Sequence, residues 1–469
     1  MATKAPAAKT VELPESVHFL NRLSFGPTRA ALAQVDELGW QHVLEAQLDH
    51  HNIDTTDIDN TISNVTSTLD LSPQEIAYMD DPEVRQQLVP DLIGSSMLRQ
   101  IYSPAQLYER MVEFWSDHFS VDVRENNIDI FKASDDRDAI RPHALATFRE
   151  LLHANARSPA MLLYLDNYSN SKSGPNENYA RELMELHTLG VSGGYTEEDV
   201  VEVARAFTGW TIDRDTLEFK FSVVNHDWGK KVVLGSTITN ANAGGIKDGE
   251  AVLDLLASHP STARFICSKL IRRFVSDAEH PQLLKQMSAV FSETDGNIKE
   301  LLRVIFHSNS FWTNRETKMK RPLDLMVSAI RRFDIPADEE VIRYVYYRLK
   351  EMGQAPFSWH APNGYPDTAG YWTNTAALAS RWNTGAETAN FLPDEYYQVA
   401  LSGAKTPNTI IQNMAVALID RKLGDDDRAA FKQEIFVALL PNKVVPGNPV
   451  AYARLVTVGL LASRYFQMR

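Results

Sequence analysis

Residues 165–210, LDNYSNSKSGPNENYARELMELHTLGVSGGYTEEDVVEVARAFTGW, hold the densest set of groups that could move protons or bind cations. Within 176–189, Asn178, Glu182 and Glu185 fall at i, i+4 and i+7 on one helical stripe, and Tyr179, Leu183 and Leu186 on an apolar one. Two carboxylates three residues apart on a helix lie about 5–6 Å apart at Cβ. Such a pair can hold one divalent cation (Ca²⁺, Mg²⁺ or Mn²⁺) through hard oxygen ligands, or can split its pKa values for acid–base work. Glu182 is then the acid or metal ligand, Glu185 its partner and Arg181 an anion clamp. A solvated acidic face, or pairing with arginines from other helices, accounts for the same residues without chemistry.

A second acidic row, Glu109, Glu113 and Asp117, repeats at i, i+4, i+8 on a helix that starts after Ser103-Pro104. His118 stands on that helix's apolar stripe with Leu107, Met111, Phe114 and Trp115. Glu113 to His118 and Glu182 to His187 share a five-residue spacing, which invites a two-helix metal site. Five residues is roughly 500° of helix rotation, so each Glu and His point about 140° apart. A di-metal bundle uses Glu-x-x-His instead. Core histidines bonded to buried carbonyls fit better. Asp166 and Asn167, with Asn176 and Asn178, offer oxygen ligands for Ca²⁺, or else cap helix ends and turns. His226, beside Asp227, reads as a turn residue or as one reaching toward the central helix. Trp359, Tyr365 and Trp372, in PFSWHAPNGYPDTAGYW, are candidates for a substrate-stacking surface or a plug on a helical core.

The elements that position these groups read as mainly α. Residues 17–39 form helix, turn, helix, with Gly26-Pro27 between them, Thr28 as cap and Gly39 as stop. Ser72 caps a helix with Pro73 at its first position. Thr196 and Asp199 open another as a capping box. Residues 52–70 are polar and rich in β-branched side chains, a surface excursion. Residues 135–152 and 159–165 read as two helices under the central stretch. Residues 219–235 alternate around a turn at 227–230, a short β-hairpin. Residues 240–248 are a Gly/Asn-rich loop. Helices then follow from Gly249 to the aromatic segment, and three or four more close the chain. No repeat or linker divides it, so the expected organisation is a disordered tail over 1–13 and one large α domain over 14–469.

The chain has 469 residues and a formal charge of −14 spread along its length, which argues against nucleic-acid binding. Cys267 is the single cysteine, so no intramolecular disulfide forms; its helical context makes it a buried, inert thiol. No apolar run reaches the ~18 residues of a transmembrane segment. The first fifteen residues lack a signal-peptide core, giving a cytoplasmic chain as written, or a periplasmic or secreted one if it is a mature form. Oligomeric state is not legible.

Several strings, HFLNRLSFGPT, MVEFWSDHFSV, NENYARELMELHTLGVSGGYT, VARAFTGW, NHDWGKKVVLG and KRPLDLMVSAIR, resemble the bacterial family called domain of unknown function 1800. The resemblance runs from about Pro14 to near the C-terminus. It implies a large, mostly helical protein with no established activity. It also implies a partner, since such genes often adjoin one for domain of unknown function 1501, whose members look exported and sulfatase-like. This chain departs from exported members in lacking a leader, and residues 356–372 are a loose version of the family's Pro/Gly/Trp-rich segment.

Two functions fit these residues. One is a hydrolase- or lyase-type enzyme acting on an envelope or extracellular polymer through the Glu182 and Glu185 cleft, with Glu113, Asp117, His118 and Asp166 around it. The other is a non-catalytic binding or assembly protein working with the neighbour-encoded partner. No nucleophile elbow, phosphate loop or dinucleotide fingerprint is present. Carboxylates paired with arginines would favour the second; carboxylates left in a cleft with raised pKa values would favour the first.

Overall fold

Helical periodicity dominates the chain, and the computed structural model follows it. The structure describes residues 13–238, 245–336, 338–404, 406–439 and 448–469. Apart from Leu13, the expected tail lies outside them, as do residues 240–244 of the expected loop. Among the described residues there are 26 α-helices and two short two-stranded antiparallel sheets, so the protein is mainly α. No helix among them is long and apolar enough to cross a membrane.

The chain separates into two compact units. One comprises Leu44–Phe311 and Ala355–Pro366; the other takes the described residues up to Val43, Trp312–Gln354 and Asp367–Arg469. The first unit is built on the helix Gln106–His118, buried on nearly every face. Trp115 is its centre, fully buried and donating from Nε1 to the Ala144 carbonyl at 3.1 Å. Glu109 and Glu113 are buried with it and Asp117 partly so, and each of the three is paired with an arginine. Glu109 meets Arg141 at 3.1 Å, Glu113 meets Arg273 at 3.0 Å, and Asp117 meets the same guanidinium at 3.5 Å. In the second unit the helix Pro322–Phe333 plays the central part, with every residue buried. Arg22 packs in that unit, donating to the Asn314 carbonyl at 3.0 Å, a structural use of the residue.

The capping signals hold at Thr28, Ser72 and Thr196. Three local expectations do not. Residues 52–70 contain the helix Thr56–Val65, because Ile58 and Ile62, one turn apart, are both buried. Residues 135–152 are not one helix: a π-helical turn, Asp135–Ile140, precedes a break, and Thr147 caps a new helix, Phe148–Ala156. The strands Phe219–Phe221 and Lys231–Val233 form, but not with each other. The first pairs with Trp210–Ile212 and the second with Ser236–Ile238. What separates them is His226, which the sequence leaves between a turn and a site; it is fully buried between them.

Candidate functional site

The central stretch is a short α-helix, Asn178–Glu182, that widens into a π-helical turn, Leu183–Thr188. The register change shows in the bonding: Leu189 N–H donates to Met184 O at 2.8 Å, and the Thr188 hydroxyl takes the Leu183 carbonyl at 2.6 Å. Both span five residues. Single π turns inside α-helices occur frequently at functional sites. Gly190 ends the element at φ +82°, where a Cβ would lie 2.9 Å from the Phe265 ring.

Glu182 is half-buried and has no hydrogen-bond or ion-pair partner among the described residues. Burial first, then the negative charge of Glu185, holds its carboxyl above the ordinary carboxylate range; Arg181 opposes weakly. Arg181 is committed elsewhere, to Glu197 at 2.7 Å and Glu177 at 3.2 Å, so it is not the expected anion clamp over Glu182. Glu185 receives a long hydrogen bond, 3.4 Å, from the Tyr195 hydroxyl. Burial, with Glu125, Asp122 and Glu182 adding charge, pushes the Tyr164 phenol up to about 12. Tyr164 and Tyr195 are thus the polar neighbours that the sequence reading missed. Tyr164 closes the helix just before Asp166, and its aromatic signal was absorbed by the apolar string around it.

The aromatic segment Ala355–Pro366 lies over this region. The Tyr164 hydroxyl reaches the His360 carbonyl at 3.3 Å, and Arg124, ion-paired with Asp122, donates to the Ser358 carbonyl at 2.8 Å. Phe357 O accepts from Val123 N–H at 3.0 Å. Trp359 and Tyr365 stand with ring centroids 4.9 Å apart, and Trp359 is partly exposed. Trp372, grouped with them from the sequence, belongs to the other compact unit and is 2% exposed.

Beneath lie the histidines. His118 is fully buried, its Nε2 3.0 Å from the His187 carbonyl and its Nδ1 2.7 Å from Lys269 Nζ. A carbonyl only accepts, so Nε2 carries the proton and Nδ1 accepts from the lysine. Burial, Lys269 and His187 keep His118 neutral, well below its ordinary value. His187 is also buried and held down to about 3 by burial and Lys269. Both are core histidines, as the five-residue spacing implies, and Lys269 was not anticipated. It stands with Arg273 at i, i+4 in SKLIRR, a spacing the sequence offered.

The proposed metal ligands are not assembled. Asn167 spends its amide on the Trp210 carbonyl at 3.1 Å and accepts from Asn170 at 3.0 Å. Asn170 in turn caps Asn176 N–H at 2.9 Å. Asp166 and Asn178 are exposed, His187 is interior, and no three of Asp166, Glu182, Glu185 and His187 converge where a metal ion could sit. His226 is likewise internal: Nδ1 faces the Thr208 carbonyl at 2.7 Å, and Nε2 faces Asp248, which Lys231 meets at 2.5 Å. No ring face is left for substrate. Cys267 is buried, and burial pushes its thiol up to about 12, so it is inert.

The fold and site together define a mainly α protein in which Glu182 and Glu185, in no ion pair among the described residues, stand partly shielded on a π-widened helix. The chain belongs to the family described as Protein of unknown function (DUF1800), whose family model matches residues 18–443. Neither the curated proteins nor the solved structures give a match.

Proposed function

We propose that this protein is an acid–base enzyme of hydrolase or lyase type, working on an envelope or extracellular polymer through Glu182 and Glu185. One observation carries the reading. Glu113, Asp117 and Glu109 are tied to arginines, whereas Glu182 has no such partner and its carboxyl is raised by burial and by Glu185. A carboxylic acid that keeps its proton nearer neutrality is suited to protonate a leaving group, with the neighbouring carboxylate as base. Tyr164 and Tyr195 border the pair, and the partly exposed Trp359, backed by the buried Tyr365, supplies a face on which a sugar-like unit stacks. A divalent metal is not required by this reading.

The second reading, a binding or assembly protein acting with a partner of the domain of unknown function 1501 family, has one observation in its favour. Asn167, Asn170 and Asn176 are consumed in an internal network that fixes the polar loop, as a purely structural stretch would be.

The test is a panel of envelope polymers (peptidoglycan, neutral glucan, chitin, polyuronate) incubated with the full chain, scored for new reducing ends or unsaturated products. Glu182→Gln should lower the rate about 10²- to 10⁴-fold. Its fold should persist. Because the folded chain raises the Glu182 carboxyl, the native state binds the extra proton, and stability is lost as pH rises through the folded value. Gln removes that cost, so the variant should melt at or slightly above the wild type near pH 7 and equal to it near pH 4. Half-exposure limits the gain to about 1 kcal/mol or less. Turnover unchanged in Glu182→Gln, or no polymer altered by the wild type, would sink the enzyme reading.

A further inference from the structure

The second unit buries positive charge that the chemistry above does not use. Lys320 is 5% exposed and Arg381 1%, and neither meets a carboxylate at ion-pair distance among the described residues. Lys320 Nζ donates to Ser328 Oγ at 3.0 Å and sits over the Phe466 ring, 3.8 Å from its centroid. Arg381 reaches only neutral acceptors, Gln467 Oε1 at 2.6 Å and the Lys320 carbonyl at 2.7 Å. Arg332, 6% exposed, pairs with Asp420 through Nη2, while its Nη1 has no hydrogen-bond partner. Interiors tolerate uncompensated cations badly, and buried donors are ordinarily hydrogen-bonded.

Beside Lys320 lies a cavity of about 20 Å³, lined by Asn21, Lys320, Ser328 and Arg332 among others. A space of that size takes roughly one water-sized particle, so phosphate and organic acids are too large. Two carboxylates also border it, but Glu316 is neutralised by Arg421 at 2.5 Å and Asp420 by Arg332.

We propose that this cavity is a monatomic-anion site that takes chloride, with Lys320 Nζ, Arg332 Nη1 and the Asn21 amide as its donors. The anion supplies the counter-charge that the central helix Pro322–Phe333 and its neighbours lack. It enters with a proton. Burial, with Arg469, Arg381 and Arg332 outweighing Asp324, lowers the Lys320 ammonium to about 7, and Tyr465 is the other titratable group on the lining. Chloride affinity should therefore fall about tenfold per pH unit above that value.

The experiment uses the full chain exchanged into sodium methanesulfonate near pH 6.5, with chloride titrated in at constant ionic strength. Line broadening of the ³⁵Cl resonance should saturate, the melting temperature should rise by a few degrees over the same range, and the midpoint should move about tenfold higher one unit above pH 7. Lys320→Met should abolish both responses. If that variant does not fold, Asn21→Leu is read instead and should weaken binding about tenfold. Absence of saturable broadening in the wild type, or broadening that survives in a folded Lys320→Met or is unweakened in Asn21→Leu, overturns the site.

Discussion

Gly364→Ala should release the segment Ala355–Pro366 from the site and leave the rest of its unit folded. Gly364 has φ +71°, and a Cβ there would fall 1.9 Å from the Asp117 carbonyl oxygen. That oxygen belongs to the backbone of the buried helix Gln106–His118, so it cannot swing aside as a side chain would. The left-handed backbone costs an L-residue about 1–2 kcal/mol and the overlap about 1–3 kcal/mol more. The segment is held at separate points, among them Val123 N–H, the Arg124 guanidinium, the Tyr164 hydroxyl and the Lys132 ammonium over the Phe357 ring. The cheapest response is therefore undocking rather than global unfolding. Hydrogen exchange should show faster exchange across 355–366 and at Val123, with the amides of the 106–118 helix still protected. Unchanged exchange would mean the close approach is not needed. Because Trp359 and Tyr365 leave with the segment, polymer turnover should fall as well.

Arg273→Met should cost about 3–5 kcal/mol, since it strands a buried carboxylate. Arg273 is 2% exposed and Glu113 9%, and the guanidinium also meets Asp117 and lies 5.6 Å from the Phe114 ring centroid. Methionine keeps much of the side-chain volume, so the loss comes from charge rather than from a cavity. Adding Glu113→Leu should restore a large part of it, because an apolar pair of similar volume replaces a buried ion pair at little cost. Urea unfolding of the single and double variants measures both. Equal stabilities in the two would show that the ion pair is not what the helix depends on.

These expectations separate what the sequence revealed from what it hid. Caps and periods are local, so Thr28, Ser72 and Thr196 marked their helices correctly. The family strings recur from His18 to Arg331, and the family model that matches residues 18–443 bears out the membership they imply. Partnering is not local. The row Glu109, Glu113 and Asp117 and the pair Glu182 and Glu185 look alike in sequence, yet only the first meets arginines, brought from residues 141 and 273. The π turn at Leu183–Thr188 was equally hidden, since its five-residue bonds depend on what packs around them and its residue types are ordinary helix formers. Thr56–Val65 was missed for the opposite reason: two isoleucines one turn apart are too sparse a stripe to stand out among polar neighbours. His226 reads equally as a turn residue or as one reaching toward the central helix, because only the fold supplies Asp248 and Thr208 around it.

Everything proposed for the site rests on Glu182 keeping its proton above the ordinary carboxylate range because it is shielded and stands beside Glu185. Side-chain ¹³C NMR of selectively glutamate-labelled protein measures this directly, with Glu182→Gln identifying the resonance. Glu182 should titrate above the ordinary carboxylate range and move back toward it in Glu185→Gln. A midpoint within or below the ordinary carboxylate range in the wild type, or one indifferent to Glu185→Gln, would contradict it.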